Sequence, residues 1–504
     1  MNNNSGLNTR LAVCIVILIV TCTLILDRLV PEGIFLDGVT YAAISRNLAI
    51  GKGSFWHLYY RGDWGFYEHP PLMFGLQAIF FKVLGDHYLT EKIYSFVIWV
   101  LTAIAMRSLW KRALAAHYEE YSYALPLLLW CLAPTITWGY TNNILDCTMA
   151  LFDIAAVLFI YRAIVSGSRW QLIVGAVCIF AALLTKGPVG MFPLAVPGLY
   201  WLAYKWGAWK ELGRAVVQTL VLVELVVVGV FLLFQFPESR SGIEQYLHQQ
   251  LMAALGGERE ITGGGLGRWT LIYELLMQML VPIALGVIVV VLAKVFKAKR
   301  PEYKLKNTAL FFLLVGIAAS LPMMLSVKQR TFYLVPSLPY YIMALCVVLY
   351  PFYIALTNRL GVGEKRLKYF KMSAAVISLG LCVYLGSKVG QPGRDHEMIA
   401  NMKYIGAHMP KGEKIGICSE MDKDYSFLAY IQRYNRMEVN PVFYAANYVL
   451  IDKQVCNNDM IPFISIIGFK KQEFGIERYE LYKRQFPLHF DFTLLNPVFR
   501  TRGK

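Results

Sequence analysis

Phe35-Leu36-Asp37-Gly38-Val39-Thr40-Tyr41 opens a loop that closes on Tyr67-Glu68-His69-Pro70-Pro71-Leu72. Between strongly apolar runs, this one loop gathers Asp37, Asp63, Glu68 and His69 beside a rigid Pro-Pro pair. Tyr41, Ile44 and Leu48 recur at helical spacing with Ser45, Arg46 and Asn47 between them, which predicts a helix lying on a membrane surface. The run Leu72–Leu84 is apolar but too short to cross a bilayer, and Gln77 and Lys82 interrupt it, so it reads as a re-entrant or interfacial helix. A polar loop with carboxylates and a histidine, held between interfacial helices, reads as half of an active site at a membrane face.

Outward from that loop the chain is built to cross lipid. It has 504 residues, of which 57% are hydrophobic and 16% charged, the signature of a polytopic membrane protein. Run lengths predict spans near 11–30, 93–109, 122–138, 143–161, 170–184, 188–204, 215–235, 271–293, 308–326, 331–354 and 372–389. The first run resembles a signal sequence in its flanks, but it is long enough to span and no small-x-small cleavage site follows, so it is kept as a span. The expected fold class is therefore an all-α polytopic membrane protein of about 11 to 13 transmembrane helices, with interfacial helices in the first loop.

The net charge of +16 does not imply nucleic acid, because many basic residues cluster in short loops between spans. Arg107, Lys111 and Arg112 follow the second span, Lys205, Lys210 and Arg214 the sixth, and Lys294, Lys297, Lys299 and Arg300 the eighth. Every second loop is basic, which predicts a cytoplasmic N-terminus and a C-terminus on the outer side of the membrane. Asp37, Glu68, His69, Asn142, Lys186, Lys328 and Arg330 then share the outer face. After Gly390 the hydropathy drops, and short β-like runs at 414–418 and 448–451 alternate with a helical stretch at 427–433. We expect a membrane domain over 1–390 and a small α/β domain outside the membrane, on its outer side, over 391–504. Of the nine cysteines, Cys418 and Cys456 lie in this last region and either pair there or stay as thiols.

Several residues invite chemistry. Asp37 alone reads as a helix N-cap; beside Glu68-His69-Pro70-Pro71 it reads equally as a base at the interface. The two prolines either start the next helix or hold His69 at a constant spot, where it can donate to a phosphate oxygen. Asp146 and Asp153 are seven residues apart and so share one face of the fourth span. Asp146 reaches the loop, whereas the deeper Asp153 reads as a structural partner of another span. Glu224 poses the same question in the seventh span. Lys186, Lys328 and Arg330 place cations in short outer turns, against the usual charge pattern, either snorkelling to headgroups or clamping a phosphate. The glycine-dense stretch 237–269 reads as a lid or a linker. No Walker loop, dinucleotide fingerprint, HExxH or paired CxxC occurs.

Asp37 followed by Tyr41-Ala42-Ala43-Ile44-Ser45-Arg46, then Tyr67-Glu68-His69-Pro70-Pro71-Leu72, 142–146, Leu184-Thr185-Lys186-Gly187-Pro188 and 328–339 resemble the bacterial protein O-mannosyltransferase and aminoarabinose transferase family. The resemblance runs in register over about 11–354 and implies a GT-C fold. It also implies a glycosyltransferase that takes a sugar from a polyprenyl-phosphate donor, such as an undecaprenyl phosphate carrier, to lipid A, a glycan or a protein acceptor. Carried over, Asp37 matches the family carboxylate, with Asp146 and Glu68 as further acids. His69 lies where relatives often have a phosphate-binding lysine, and Tyr333 matches a tyrosine near that phosphate. Relatives often carry a second acid after the first and an arginine three positions on; here these are Gly38 and Thr40, so phosphate binding falls to Lys186, Lys328 or Arg330. No cofactor is required by these motifs, and a divalent metal is not indicated. The other class weighed is a transporter or flippase, suggested by Asp153 and Glu224, although no inverted repeat or pair of broken spans is evident.

Overall fold

The computed structural model describes residues 3–61, 64–252, 267–324, 329–440, 442, 445–457 and 460–485. The apolar runs fold into helices: α1 (Asn3–Leu29), the loop helices α2 (Leu36–Ala49) and α3 (Leu72–Leu84), then α4 (Tyr88–Leu114). Next come α5 (Ala124–Cys131), α6 (Pro134–Thr141), α7 (Leu145–Ser166), α8 (Arg169–Lys186), α9 (Val196–Tyr204) and α10 (Trp209–Phe234). They are followed by α11 (Pro237–Tyr246), α12 (Thr270–Val295), α13 (Lys306–Met324), α14 (Leu338–Leu360) and α15 (Glu364–Ser387). Among the described residues nine helices are long and apolar enough to cross a membrane, so the chain is a multi-pass membrane protein.

Two of the eleven expected spans are not continuous. The run at 122–138 divides into α5 and α6, because Pro134 cannot continue α5 and instead starts a new helix as its first residue. The run at 188–204 begins as the 3-10 segment Pro188–Ala195, with Pro193 inside it, before α9 takes over with Pro197 in its first turn. Both still join opposite faces of the bundle. Arg10 of α1 bonds Glu119, just before α5, at 2.8 Å and Asn358 at the end of α14 at 2.8 Å, which gathers those ends on one face. Asn142, just after α6, bonds the Phe35 amide at 2.7 Å on the other face, where α8 ends at Lys186 and Asp146 lies in the first turn of α7.

The chain beyond α15 forms a five-stranded sheet with its own apolar core. Strands β3 (Lys414–Gly416), β4 (Glu438–Asn440), β5 (Tyr448–Asp452), β6 (Phe469–Lys471) and β7 (Tyr479–Arg484) lie in the order β4-β3-β5-β7-β6, with β3 parallel to β4 and β5. The first-loop hairpin β1 (Leu58–Arg61) and β2 (Trp64–Phe66) is separate and antiparallel. Helices α16 (His396–His408), α17 (Tyr425–Asn435) and α18 (Met460–Ile466) accompany the five-stranded sheet. Cys418 and Cys456 form a disulfide with Cα atoms 5.9 Å apart, resolving the choice between pairing and free thiols.

The expected surface helix is α2, and it is not at a surface. Val39, Ala42, Ala43, Ile44, Ser45, Arg46 and Asn47 are all buried, because the C-terminal region covers the face that would otherwise meet water. Ile34 and Val39 belong to the C-terminal core with Met402, Phe427 and Ile431, whereas Tyr41 and Ile44 belong to the membrane core. Charge holds the two parts together. Asp86, between α3 and α4, pairs with Arg46 at 3.1 Å and with Arg433 and Arg436 of the C-terminal region at 2.7 Å each, while Arg433 reaches Glu91 at 2.8 Å.

Burial pushes the Asp86 carboxyl up, but the charges of Arg433 and Arg46 and the hydrogen bond from Arg436 outweigh it and hold the group down at about 2. Since its unfolded value is 3.8, the docked state gains stability above that pH and loses it as pH falls through about 2. The difference is worth about 2 kcal/mol, so amide exchange across α17 should rise as pH drops from about 4 to about 2 in the wild type and not in Asp86→Asn.

Candidate active site

Asp37 is not the N-cap of α2. Phe35 holds that position, and Asp37 sits in the first helical turn, where the exposed N–H groups favour a carboxylate. The turn between α6 and α7 locks this end of the helix. Asn142 Oδ1 accepts the Phe35 amide at 2.7 Å, and Asn143 Nδ2 donates to the Gly38 carbonyl at 3.0 Å, so one Asn-Asn turn grips the backbone on both sides of Asp37. Asn143 adopts φ +54°, a left-handed conformation that asparagine tolerates, and its Oδ1 accepts from Gln77 at 2.7 Å and Ser95 at 3.3 Å. The glycine at 38 follows from this packing: a Cβ there would stand 2.0 Å from the Asn142 carbonyl oxygen. A second acid beside Asp37 has no room.

Four residues on from Asp37, and therefore on the same helical face, Tyr41 is the centre of the cluster. Its hydroxyl lies 3.1 Å from His69 Nε2, and its ring packs edge-on against Phe66, His69 and Phe74. Burial pushes the Tyr41 hydroxyl well above its ordinary value, and the charges of Asp37, Asp146 and Glu68 push it further. Tyr41 therefore stays protonated, and the direction of its hydrogen bond with His69 Nε2 follows the tautomer of the imidazole. In the sequence Tyr41 is one residue of a motif, and its spacing from Asp37 is the signal that marks it.

Lys186 closes α8 and turns inward. It forms an ion pair with Asp146, in the first turn of α7, and the two side chains are only 10% and 2% exposed. Headgroup snorkelling is therefore not its role. Its Nζ also lies 4.4 Å from the centroid of the Tyr333 ring and 5.7 Å from that of Phe332, and Phe332 stacks on Trp138, which meets Phe35. Gly187 takes φ +84° to turn the chain, and a Cβ there would clash at 2.1 Å with the Tyr246 hydroxyl, so the end of α11 lies over this turn. The rest of the glycine-dense segment, 253–266, is outside the described residues.

The structure thus brings Asp37, Asp146, Glu68, His69, Lys186 and Tyr333 to one face, around Tyr41. Glu68 is exposed and His69 partly buried. Arg330 is exposed at the N-cap of the turn Thr331–Leu334, two residues before Phe332, while Lys328 and Asp63 lie outside the described residues. Asp153 is fully buried and, contrary to its expected role as a structural partner, neither carboxylate oxygen has a hydrogen-bond partner among the described residues. Glu224 is exposed on α10, so it and Asp153 share no site. Among the described residues no group of three or more His, Cys, Asp or Glu is placed to hold a metal.

No protein-family model matches this chain, and no curated protein matches it either. Solved structures do. The chain is similar to ArnT from Cupriavidus metallidurans in the apo state, at 15% identity over 93% of this chain and 97% of that one, with a TM-score of 0.60. The structure of the same protein bound to undecaprenyl phosphate matches at 16% identity, with the same coverage and a TM-score of 0.60. A further match is the archaeal oligosaccharyltransferase AglB from Archaeoglobus fulgidus in complex with an inhibitory peptide and a dolichol-phosphate, at 13% identity over 88% of this chain and 69% of that one, with a TM-score of 0.43. The fold is that of ArnT, a GT-C arrangement of membrane helices with a small C-terminal sheet region.

Proposed function

We propose that this chain is a glycosyltransferase that moves a sugar from a polyprenyl-phosphate carrier to a lipid A, glycan or protein acceptor. The observation that carries the reading is the pairing, at one membrane face, of a carboxylate held by an Asn-Asn turn with a buried lysine in an aromatic setting. A lipid-linked sugar phosphate asks for both. The acceptor O–H gives its proton to Asp37 as its oxygen bonds to the anomeric carbon. The bond from that carbon to the phosphate oxygen breaks, and the electron pair leaves with the lipid phosphate, with inversion at the anomeric carbon.

Charge therefore grows on the phosphate as the reaction proceeds, and a fixed cation there stabilises the transition state more than the ground state. Lys186 has three N–H donors and spends one on Asp146, leaving others for the phosphate. His69, Tyr333 and Arg330, with Lys328, are proposed to complete the phosphate site, and Glu68 and Asp146 to set its charge. The undecaprenyl phosphate in the ArnT structure supports this lipid class. The outward-facing apolar side chains of α10 and α12, among them Leu220, Phe231, Leu276 and Leu280, offer a surface for its tail.

Lys111 and Arg112 end α4, Lys294 ends α12 and Arg359 ends α14, all on the face opposite the site. By the positive-inside pattern that face is the cytoplasmic one, which supports our reading of the site and the C-terminal region as periplasmic at a bacterial inner membrane. The test is direct. Purified protein in undecaprenyl-phosphate vesicles, offered a panel of lipid-linked sugars and acceptors, should release free lipid phosphate and form a glycoside, read by mass spectrometry. Flux of the lipid-linked sugar across the vesicle wall with no glycoside formed would make the chain a transporter instead.

A further inference from the structure

We propose that the C-terminal region is a positioning part of the active site, acting on Asp37 through α2, with Arg433 and Tyr430 of α17 as its positioning residues. The inference rests on the glycosyltransferase reading for its catalytic half. The structural half stands on packing. α2 is packed from two sides: Tyr41 and Ile44 lie in the membrane core, and Ile34 and Val39, on either side of Asp37, lie in the core that the sheet region builds. A helix placed in this way takes its position from both cores at once.

Polar contacts fix the register at both ends. At the start of α2, the Tyr430 hydroxyl shares its one proton between the Ile34 carbonyl at 3.1 Å and the Asp395 carboxylate at 2.8 Å. At the far end, Arg46 is fully buried, and its guanidinium donates to the Gln432 carbonyl at 2.7 Å and to Asp86 at 3.1 Å. Arg433 then ties α17 to the membrane part, reaching Asp86 at 2.7 Å, the His87 carbonyl at 2.9 Å and Glu91 in the first turn of α4 at 2.8 Å. Arg61 of the first-loop hairpin pairs with Asp422 at 2.5 Å, so the same loop is held at a further point. Buried, multiply bonded guanidinium groups of this kind are rigid, and their loss leaves carboxylates buried without a partner.

Asp37 sits at the end of α2 gripped from one side by the membrane part, through Asn142 and Asn143, and from the other by α17. Loosening α17 should tilt or fray α2 and move the Asp37 carboxylate, while the Lys186 and Tyr333 side of the site, held by α7, α8 and the turn Thr331–Leu334, stays in place. The expected signature is a lower kcat with the donor KM unchanged.

The experiment uses the full chain in detergent or nanodiscs, with Arg433→Met, Arg433→Lys and the milder Tyr430→Phe. Amide exchange in Leu36–Ala49 and the kinetics of transfer from an undecaprenyl-phosphate sugar are measured on each. Arg433→Met should exchange faster in α2, with no change in Leu145–Ser166, and should lose about tenfold or more in kcat, within the ~10²-fold expected of a 1 Å misplacement. Its donor KM should stay within about twofold, since the phosphate contacts are untouched. Arg433→Lys should recover part of the loss, and Tyr430→Phe should move in the same direction by less. Should Arg433→Met fail to fold, Tyr430→Phe decides on the same two readouts. Unchanged α2 exchange overturns the proposal, and so does faster exchange with unchanged kcat. Wild-type protein that transfers no sugar overturns the chemistry alone, and the exchange result then still decides whether α17 fixes α2.

Discussion

Asp37→Asn is expected to lower kcat for sugar transfer by about 10²–10⁴-fold, the usual worth of a general base, with donor binding and expression close to wild type. The size follows from chemistry: the amide keeps the shape and one acceptor oxygen but cannot take the acceptor's proton. Little folding stability should go with it. Asp37 is in the first turn of α2, where the backbone is held by Asn142, Asn143 and Tyr430. Single-turnover transfer from an undecaprenyl-phosphate sugar, compared with binding of undecaprenyl phosphate, measures both. Turnover near wild type in this variant would remove Asp37 from the catalytic role.

Lys186→Met is expected to behave differently, costing stability as well as activity. Lys186 and Asp146 are 10% and 2% exposed, so removing the ammonium leaves a carboxylate buried with no counter-charge, at a cost of about 3–5 kcal/mol. The double variant Lys186→Met with Asp146→Asn removes both charges and keeps the volumes, and should recover most of the thermal stability in detergent. It should not recover transfer, because the developing charge on the lipid phosphate still meets no cation. The comparison separates two roles that a single substitution confounds. Restored transfer in the double variant would show that Lys186 serves only to neutralise Asp146.

Some of this was legible in the sequence because it is written in short range. Run lengths and basic loops are local, and they located the spans, including the two that prolines break. The residue motifs that resemble the aminoarabinose transferase family named Asp37, Asp146, Lys186 and Tyr333, and the structure draws these together. Tyr41 reads first as core, as a tyrosine in a helical pattern does; its four-residue spacing from Asp37 marks the shared face, and its contact with His69 adds the rest. Asp153 and Glu224 looked alike as charges at membrane depth; the fold buries one and exposes the other, a difference set by which helices pack against α7 and α10.

The sequence by itself determined that the chain crosses a membrane many times, that the first loop carries polar chemistry, and that a small mixed region follows the last span. Those are properties of composition and period, which need no knowledge of distant contacts. Only the tertiary structure decided that Gly38 leaves room for the Asn142 carbonyl, that Lys186 points inward to Asp146, and that α2 lies between two cores. Each of these joins residues far apart in the chain: 107 positions from Phe35 to Asn142, 40 from Asp146 to Lys186 and 396 from Ile34 to Tyr430. Hydropathy, period and spacing act over a few turns of helix, whereas a site built by contacts across such separations exists only once packing has paired its parts.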